Sequence, residues 1–131
     1  MKQGILQYRV PYADTDQMGF VYYGNYLTYF ERARNELMRA NGFTYKELEA
    51  LGVGLPVIEA NAKYHRPAKY DDELTICATL EEIGGVRLKV ACQVKRGDEL
   101  LTEGWTRHCF IDLKTGRPVR APEQLLEVFS N

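Results

Sequence analysis

NYLTYFERARNELMRANG, residues Asn25 to Gly42, is the stretch that decides the fold. Tyr26, Phe30, Ala33, Leu37 and Ala40 are spaced by four, three, four and three residues, the period of an α-helix with one apolar face. Glu31, Arg32, Asn35, Glu36 and Arg39 fall mostly elsewhere around the cylinder. Asn25 is placed to cap the N-terminus, and Gly42 stands where a left-handed residue ends a helix. Immediately downstream, Thr44-Tyr45-Lys46-Glu47 has the form of a capping box and opens a short helix that Gly52 closes.

Outward from this helix the period becomes that of strands. Before it, Leu6, Tyr8, Val10 and Tyr12 alternate with Gln7, Arg9 and Pro11, a half-buried strand whose proline marks an edge or an end. After it comes an apolar segment from Leu55 to Tyr64, closed at Pro67. Leu74, Ile76, Ala78 and Leu80 then alternate with Thr75, Cys77 and Thr79. Beyond a turn at Gly84-Gly85, Val86, Leu88, Val90, Cys92 and Val94 alternate with Arg87, Lys89, Ala91, Gln93 and Lys95, which predicts a hairpin. Arg96-Gly97-Asp98 makes the next turn. Glu99 to Ile111 reads as a last long strand with a bulge at Gly104, Asp112 to Gly116 as a turn, and Pro122 to Phe129 as a closing helix. The fold class is therefore α+β: one antiparallel sheet with a mainly buried helix against one face. Sheet edges left open in this way are closed by pairing with a second subunit, so a homodimer is expected.

Bulk properties set the limits. A chain of 131 residues makes one domain, 1–131, with one core. Hydrophobic residues at 45% and charged residues at 27% place it among ordinary globular proteins. With 17 basic and 18 acidic residues the net charge is -1, so no footprint for nucleic acid or an anionic membrane is present. MKQGILQYRV has no apolar core of signal-peptide length, and no later segment reaches the roughly 20 apolar residues of a membrane span, so a cytoplasmic location is expected. Cys77, Cys92 and Cys109 are odd in number and dispersed in strand segments, and read as reduced, packed thiols.

No HExxH, GxSxG, GxGxxG or Walker loop occurs, and His65 and His108 lack metal-ligand spacing, so no metal or cofactor is called for. What remains is Asp14 and Asp16, just ahead of the long helix. Free N–H groups and the positive dipole end at such a terminus polarise a carbonyl or hold an oxyanion, and an ionised carboxylate beside them serves as nucleophile or as base toward water. Acyl transfer suits that pairing. An Asp near a helix start is more often a capping or turn residue than a catalyst, but Asp16 lies too far before Asn25 to be its cap, leaving Gln17 to Gly24 as a candidate functional loop.

The run Tyr12-x-Asp14-Thr15-Asp16-x-x-Gly19-x-Val21-Tyr22-x-x-x-Tyr26, followed by Phe30-Glu31-x-x-Arg34, resembles the signature of the 4-hydroxybenzoyl-CoA thioesterase family of hotdog-fold proteins, which includes the acyl-CoA thioesterases encoded beside the Tol-Pal system. Tyr64-x-x-Pro67-Ala68-x-x-x-Asp71-Asp72-x-Leu74 extends the likeness, and the element order follows it from about residue 5 to 129. The resemblance implies a hotdog fold, with a sheet wrapped around the central helix, a homodimer often paired into a homotetramer, and active sites at the dimer interface. It implies hydrolysis of an acyl-CoA, whose CoA is part of the substrate and no cofactor. Asp16 takes the catalytic position, as nucleophile or as activator of water, and the backbone N–H of Tyr23 polarises the thioester oxygen. Asp14 is expected to brace the loop through hydrogen bonds to backbone N–H groups. Gly19, Val21, Tyr22 and Tyr26 fall in the substrate-binding part of the signature.

Two departures matter. Tyr23 stands where the Tol-Pal branch commonly has His, and Gly84-Gly85 where the 4-hydroxybenzoyl branch has adjacent arginines for CoA phosphates. Those phosphates are therefore expected on Arg87 and Lys89, or on Lys63, His65, Arg66 and Lys69 around Pro67. Tyr22, Tyr23, Tyr26, Tyr29 and Phe30 suit either an aromatic acyl pocket or the core, so an aryl and a short aliphatic acyl group are both open. A non-catalytic acyl-CoA binding module is the alternative.

Overall fold

In the computed structural model, which describes residues 2–130, the helix anticipated from its period runs over α1 (Asn25–Ala40) and presents Tyr26, Tyr29, Phe30, Ala33, Leu37 and Met38 to the interior. Burying one side chain of this size contributes about 1.5–3 kcal/mol, so the stripe alone outweighs the low helix propensity of its aromatic residues. Ala40 is exposed and drops out of the expected face. Gly24, with αR dihedrals, is the capping residue in place of Asn25. Asn25 is already helical, and its side chain turns back to donate from Nδ2 to the Asp14 carbonyl at 2.9 Å. The expected left-handed stop is found at Gly42, with φ +81°. In α2 (Tyr45–Ala50) Thr44 and Glu47 form the reciprocal capping box.

Five strands make the main sheet: β1 (Gln3–Arg9), β3 (Val57–Tyr64), β4 (Glu73–Gly84), β5 (Arg87–Arg96) and β6 (Glu99–Cys109), ordered β1-β4-β5-β6-β3 with every neighbour antiparallel. Two short strands, β2 (Val53–Gly54) and β7 (Ile111–Asp112), pair separately, and α3 (Glu123–Phe129) closes the chain. Leu74, Ile76, Ala78 and Leu80 of β4 lie beside Leu88, Val90, Cys92 and Val94 of the neighbouring β5 on the buried face of the sheet, as the alternation requires. β1 stops at Arg9 because Pro11 has no N–H for the ladder, and Tyr12 swings out to solvent in a single 3-10 turn. On the edge, β3 is exposed along nearly its whole length.

Glycine does its work here by absence of a side chain. A Cβ at Gly4 would collide with the backbone of Leu37, so α1 rests on β1 backbone to backbone. Gly104 is not a bulge: it stays in register with Ala62 and Cys92, and a Cβ there would strike the Asn61 carbonyl. The irregularity lies at Leu101, where the register steps from Val94 opposite Thr102 to Lys95 opposite Leu100.

Among the described residues one charged side chain is buried. Arg34, 5% exposed, donates from Nε to Tyr45 Oη at 2.8 Å and from Nη1 to Thr106 Oγ1 at 3.3 Å. The same Thr106 hydroxyl meets His108 Nε2 at 2.9 Å, and His108 Nδ1 lies 3.2 Å from the Leu55 carbonyl. Both ring nitrogens are served when His108 is neutral: Nδ1–H donates to Leu55, Nε2 accepts from Thr106, and Thr106 accepts from Arg34. Burial first, and the Arg34 charge second, lower the His108 pKa to about 4.

Candidate active site

Between β1 and α1 the chain folds back on itself as a miniature hairpin. Thr15 bridges Val21, Asp16 N–H donates to the Phe20 carbonyl at 2.8 Å, and Gly19 turns the corner at φ +80°, a conformation that a side chain would strain. Its outer arm adds to the Pro67 segment, where Val21 N–H donates to the Ala68 carbonyl and Phe20 bridges Lys69. That segment is tied down by Arg96, which reaches Asp72 and Glu99, both at 2.7 Å, and the Pro67 carbonyl at 3.4 Å. Asp72 in turn accepts from Lys69 N–H.

Inside this frame Asp16 Oδ1 accepts from the N–H groups of Met18 at 2.9 Å and Phe20 at 3.3 Å, an Asx turn that fixes the side chain. Oδ2 accepts no hydrogen bond among the described residues, and is the oxygen available for chemistry. The carboxylate stands on the wall of a cavity of about 290 Å³, shared with Val21, Tyr23, Tyr26, His65 and Arg66. Met18, Phe20, Tyr64 and Pro67 complete the lining. These four were not singled out as site residues from sequence, although Tyr64 and Pro67 stood in the downstream motif.

The start of α1 forms the other wall. Tyr22 N–H is taken by the Asp14 carbonyl at 2.9 Å, and Asn25 N–H by the Tyr22 carbonyl. The N–H groups of Tyr23 and Gly24 have no acceptor among the described residues. They are free to hold an oxyanion, with the helix dipole behind them. The Tyr23 carbonyl accepts from Tyr64 Oη at 3.2 Å, while its ring, 63% exposed, packs on Tyr22 at 4.7 Å between centroids. Tyr26 is buried and its hydroxyl accepts from Ala68 N–H at 3.2 Å.

Asp14 braces the loop, by a route different from the one expected. Its carboxylate accepts from two tyrosine hydroxyls, Tyr8 at 2.6 Å and Tyr29 at 2.7 Å, and it is the backbone carbonyl that receives the N–H of Tyr22. Burial, then the bond to Asp14, push the Tyr8 phenol up to about 12, and the same causes raise Tyr29 further. Both hydroxyls stay protonated donors at any working pH.

The basic candidates separate into two groups. His65 and Arg66 stand at the cavity, but each has a partner: His65 Nε2 lies 2.7 Å from Glu103 and Arg66 Nε 3.3 Å from Glu99. Lys63 pairs in register with Glu103 and points to the outer face. Arg87 and Lys89 are not brought to the Asp16 cavity of their own chain. They border a separate depression with Glu59 and Arg107, where Lys89 and Arg107 lie over the Trp105 ring. Lys89 is paired opposite Arg107, five residues along β6 from the Tyr64–Thr102 pair, or about 17 Å. Gly19 and Tyr22 shape the loop without lining the cavity. Among the described residues no three His, Cys, Asp or Glu side chains gather as a metal would need, and no helix is long and apolar enough to cross a membrane. All three cysteines are free thiols, and burial raises Cys92 to about 12.

Residues 10–129 match the thioesterase-like superfamily. The acyl-CoA thioester hydrolase YbgC of Escherichia coli O6:H1 is 30% identical over 122 residues, covering 92% of this chain and 91% of that protein. The acyl-CoA thioesterase YbgC of Haemophilus influenzae is 32% identical over 122 residues, 92% and 90% of the two chains. Among solved structures, the DHNA-CoA thioesterase of Staphylococcus aureus superposes with a TM-score of 0.94 at 30% identity, covering 99% of this chain and 90% of that one. A complex of 4-hydroxybenzoyl-CoA thioesterase, 24% identical, shares the fold with a TM-score of 0.89 over 99% of this chain and 100% of its own. With a carboxylate and unpaired helix-start amides meeting at one cavity, and with a match spanning almost its whole length, the chain belongs to the thioesterase-like superfamily of hotdog-fold proteins.

Proposed function

We propose that this acyl-CoA thioesterase hydrolyses short-chain aliphatic or aromatic acyl-CoAs in the Asp16 cavity. The observation that carries the reading is the meeting, on the walls of one pocket, of Asp16, whose Oδ2 is uncommitted, and Tyr23, whose N–H is free, as is that of Gly24 next to it. The thioester carbonyl oxygen lies toward those amides, which stabilise the negative charge it gains in the tetrahedral intermediate. Asp16 then either attacks the carbonyl carbon, giving an anhydride that water opens, or removes a proton from the attacking water. In both routes the C–S bond breaks, the acid is released, and CoA leaves as a thiolate that takes up a proton from solvent. A thiolate is a good leaving group, so no strong acid is needed beside it.

A cavity of about 290 Å³, walled by Tyr26, Tyr64 and Phe20, favours an acyl group no larger than one ring or a short chain. Arg66, with Lys63 and Lys69 close in sequence, is assigned to the CoA phosphates at the mouth. Arg87 and Lys89 lie too far along the sheet for their own pocket and are assigned to substrate held by a neighbouring subunit. The exposed edge strand β3 supports a homodimer joined there, assembling further into a homotetramer. We place the protein in the cytoplasm, as a single domain.

Thiol release from acetyl- through palmitoyl-CoA, with benzoyl-, 4-hydroxybenzoyl- and dihydroxynaphthoyl-CoA, tests this in the wild type and in Asp16→Asn. Turnover of one class, reduced at least about a hundredfold in a folded variant of unchanged assembly, supports the reading. Binding of the panel without turnover makes the domain an acyl-CoA binding module instead.

A further inference from the structure

Asp14 stands at a junction. Along the chain it is two residues from the Asp16 carboxylate. Through space, its carbonyl oxygen receives Tyr22 N–H and Asn25 Nδ2, both at 2.9 Å, at the start of α1. Taking up the Tyr22 amide leaves those of Tyr23 and Gly24 as the unpaired donors at the helix entry. Whatever holds Asp14 therefore sets both the nucleophilic side and the oxyanion side of the cavity, and the distance between them.

What holds Asp14 is a pair of phenols from different elements. Tyr8 Oη from β1 and Tyr29 Oη from α1 donate to the same oxygen, Oδ2, at 2.6 and 2.7 Å. The two rings pack at 5.0 Å between centroids, and the Arg32 guanidinium caps the Tyr8 ring at 4.7 Å. Two charge-assisted bonds converging on one oxygen restrain it far more than one would, because each removes a direction the other leaves free. Neither tyrosine lines the cavity.

We propose that Tyr8 and Tyr29 are positioning residues for thioester hydrolysis: their hydroxyls clasp Asp14, and through it hold the Asp16 carboxylate and the Tyr23 and Gly24 amides at their working separation. The inference rests on the hydrolytic reading of the cavity. It predicts that loosening the clasp lowers the rate of the chemical step without changing substrate affinity or the shape of the pH profile, because a misplacement of about 1 Å costs up to a hundredfold in rate.

The test compares the wild type with Tyr8→Phe, Tyr29→Phe, the double variant and Asp14→Asn. Each is assayed on whichever acyl-CoA the wild type turns over, with pH profiles and melting temperatures alongside. Expected are losses in kcat of about tenfold for each single phenylalanine and about a hundredfold for the pair, with KM within twofold. The kcat–pH profile should keep its shape and move down as a whole. Asp14→Asn, which keeps an acceptor oxygen, should lie between the wild type and the double variant. Tyr8, at the half-buried end of β1, gives a variant that folds even if Tyr29→Phe does not. Unchanged kcat, well below the melting temperature, in a variant whose melting temperature has fallen makes the clasp a stability feature only and overturns the proposal. So does a loss confined to KM, or an altered pH profile. If the wild type hydrolyses nothing, it is the hydrolytic reading that fails.

Discussion

Acidification should destabilise this protein through His108. The imidazole is fully buried, packed near the Arg34 guanidinium, and hydrogen-bonded in a way that the neutral ring satisfies. Its pKa in the folded chain is about 4, against an ordinary 6.5 once unfolded. Because the folded value is the lower one, the unfolded chain binds the extra proton, and stability falls as pH drops below 6.5 and stops falling below about 4. A shift from 6.5 to about 4 corresponds to about 3 kcal/mol in all, of which about 2 kcal/mol is lost between pH 7 and pH 5. Other groups titrate over the same range, so the measurement is a difference: urea unfolding at pH 7, 6 and 5, at one protein concentration, for the wild type and for His108→Gln. The glutamine keeps an amide for Leu55 and Thr106 and cannot be charged. Expected is a variant less stable than the wild type at pH 7 whose deficit shrinks by about 2 kcal/mol at pH 5. A deficit constant within about 0.5 kcal/mol over those two units would refute the account of a neutral, proton-averse His108.

The remaining predictions concern the site's frame and the sheet. Replacing Arg96 with Met removes the tether on Asp72, Glu99 and the Pro67 carbonyl, and should raise KM severalfold through a loosened cavity wall while costing about 1–3 kcal/mol in denaturant unfolding. Gly4→Ala forces a methyl into the Leu37 backbone and should destabilise by about 1–3 kcal/mol, read as a lower melting temperature. A charge on the β3 edge, Ile58→Lys, should weaken self-association in sedimentation equilibrium, the edge strand being exposed along its length.

Much of the fold was legible because it is written in period. The 3.6-residue stripe of α1, the alternation of β4 and β5, and the Thr44-Glu47 box each depend on neighbours in sequence and were found where expected. What escaped depends on partners far along the chain. Gly104 looked like a bulge because a lone glycine in a strand usually marks one, whereas its reason is the approach of the Asn61 carbonyl from β3. Asn25 looked like a cap, but the preceding Gly24 is already in the αR region and Asn25 is drawn back to Asp14. Asp16 and Tyr23, which the motif singled out, do line one cavity. The cavity's Met18 and Phe20 were not singled out, since nothing local tells a lining residue from an exposed one. Arg87 and Lys89 alternate as site cations would, yet only the register shows how far along β6 they lie.

The contact of Gly4 with Leu37 has a mechanical consequence. With no side chain between helix and sheet, the C-terminal part of α1 is fixed at a height no change in core volume can alter. The opposite end, where Tyr23 lines the cavity and Gly24 caps the helix, is about 20 Å away along the axis. The helix is thus a lever with its fulcrum remote from the chemistry: a tilt of about 3° about Gly4 would move those amides by about 1 Å. Exchanges at Phe30 and Ala33, between the two ends, therefore reach the chemistry through the tilt of the helix, without altering any residue that touches substrate.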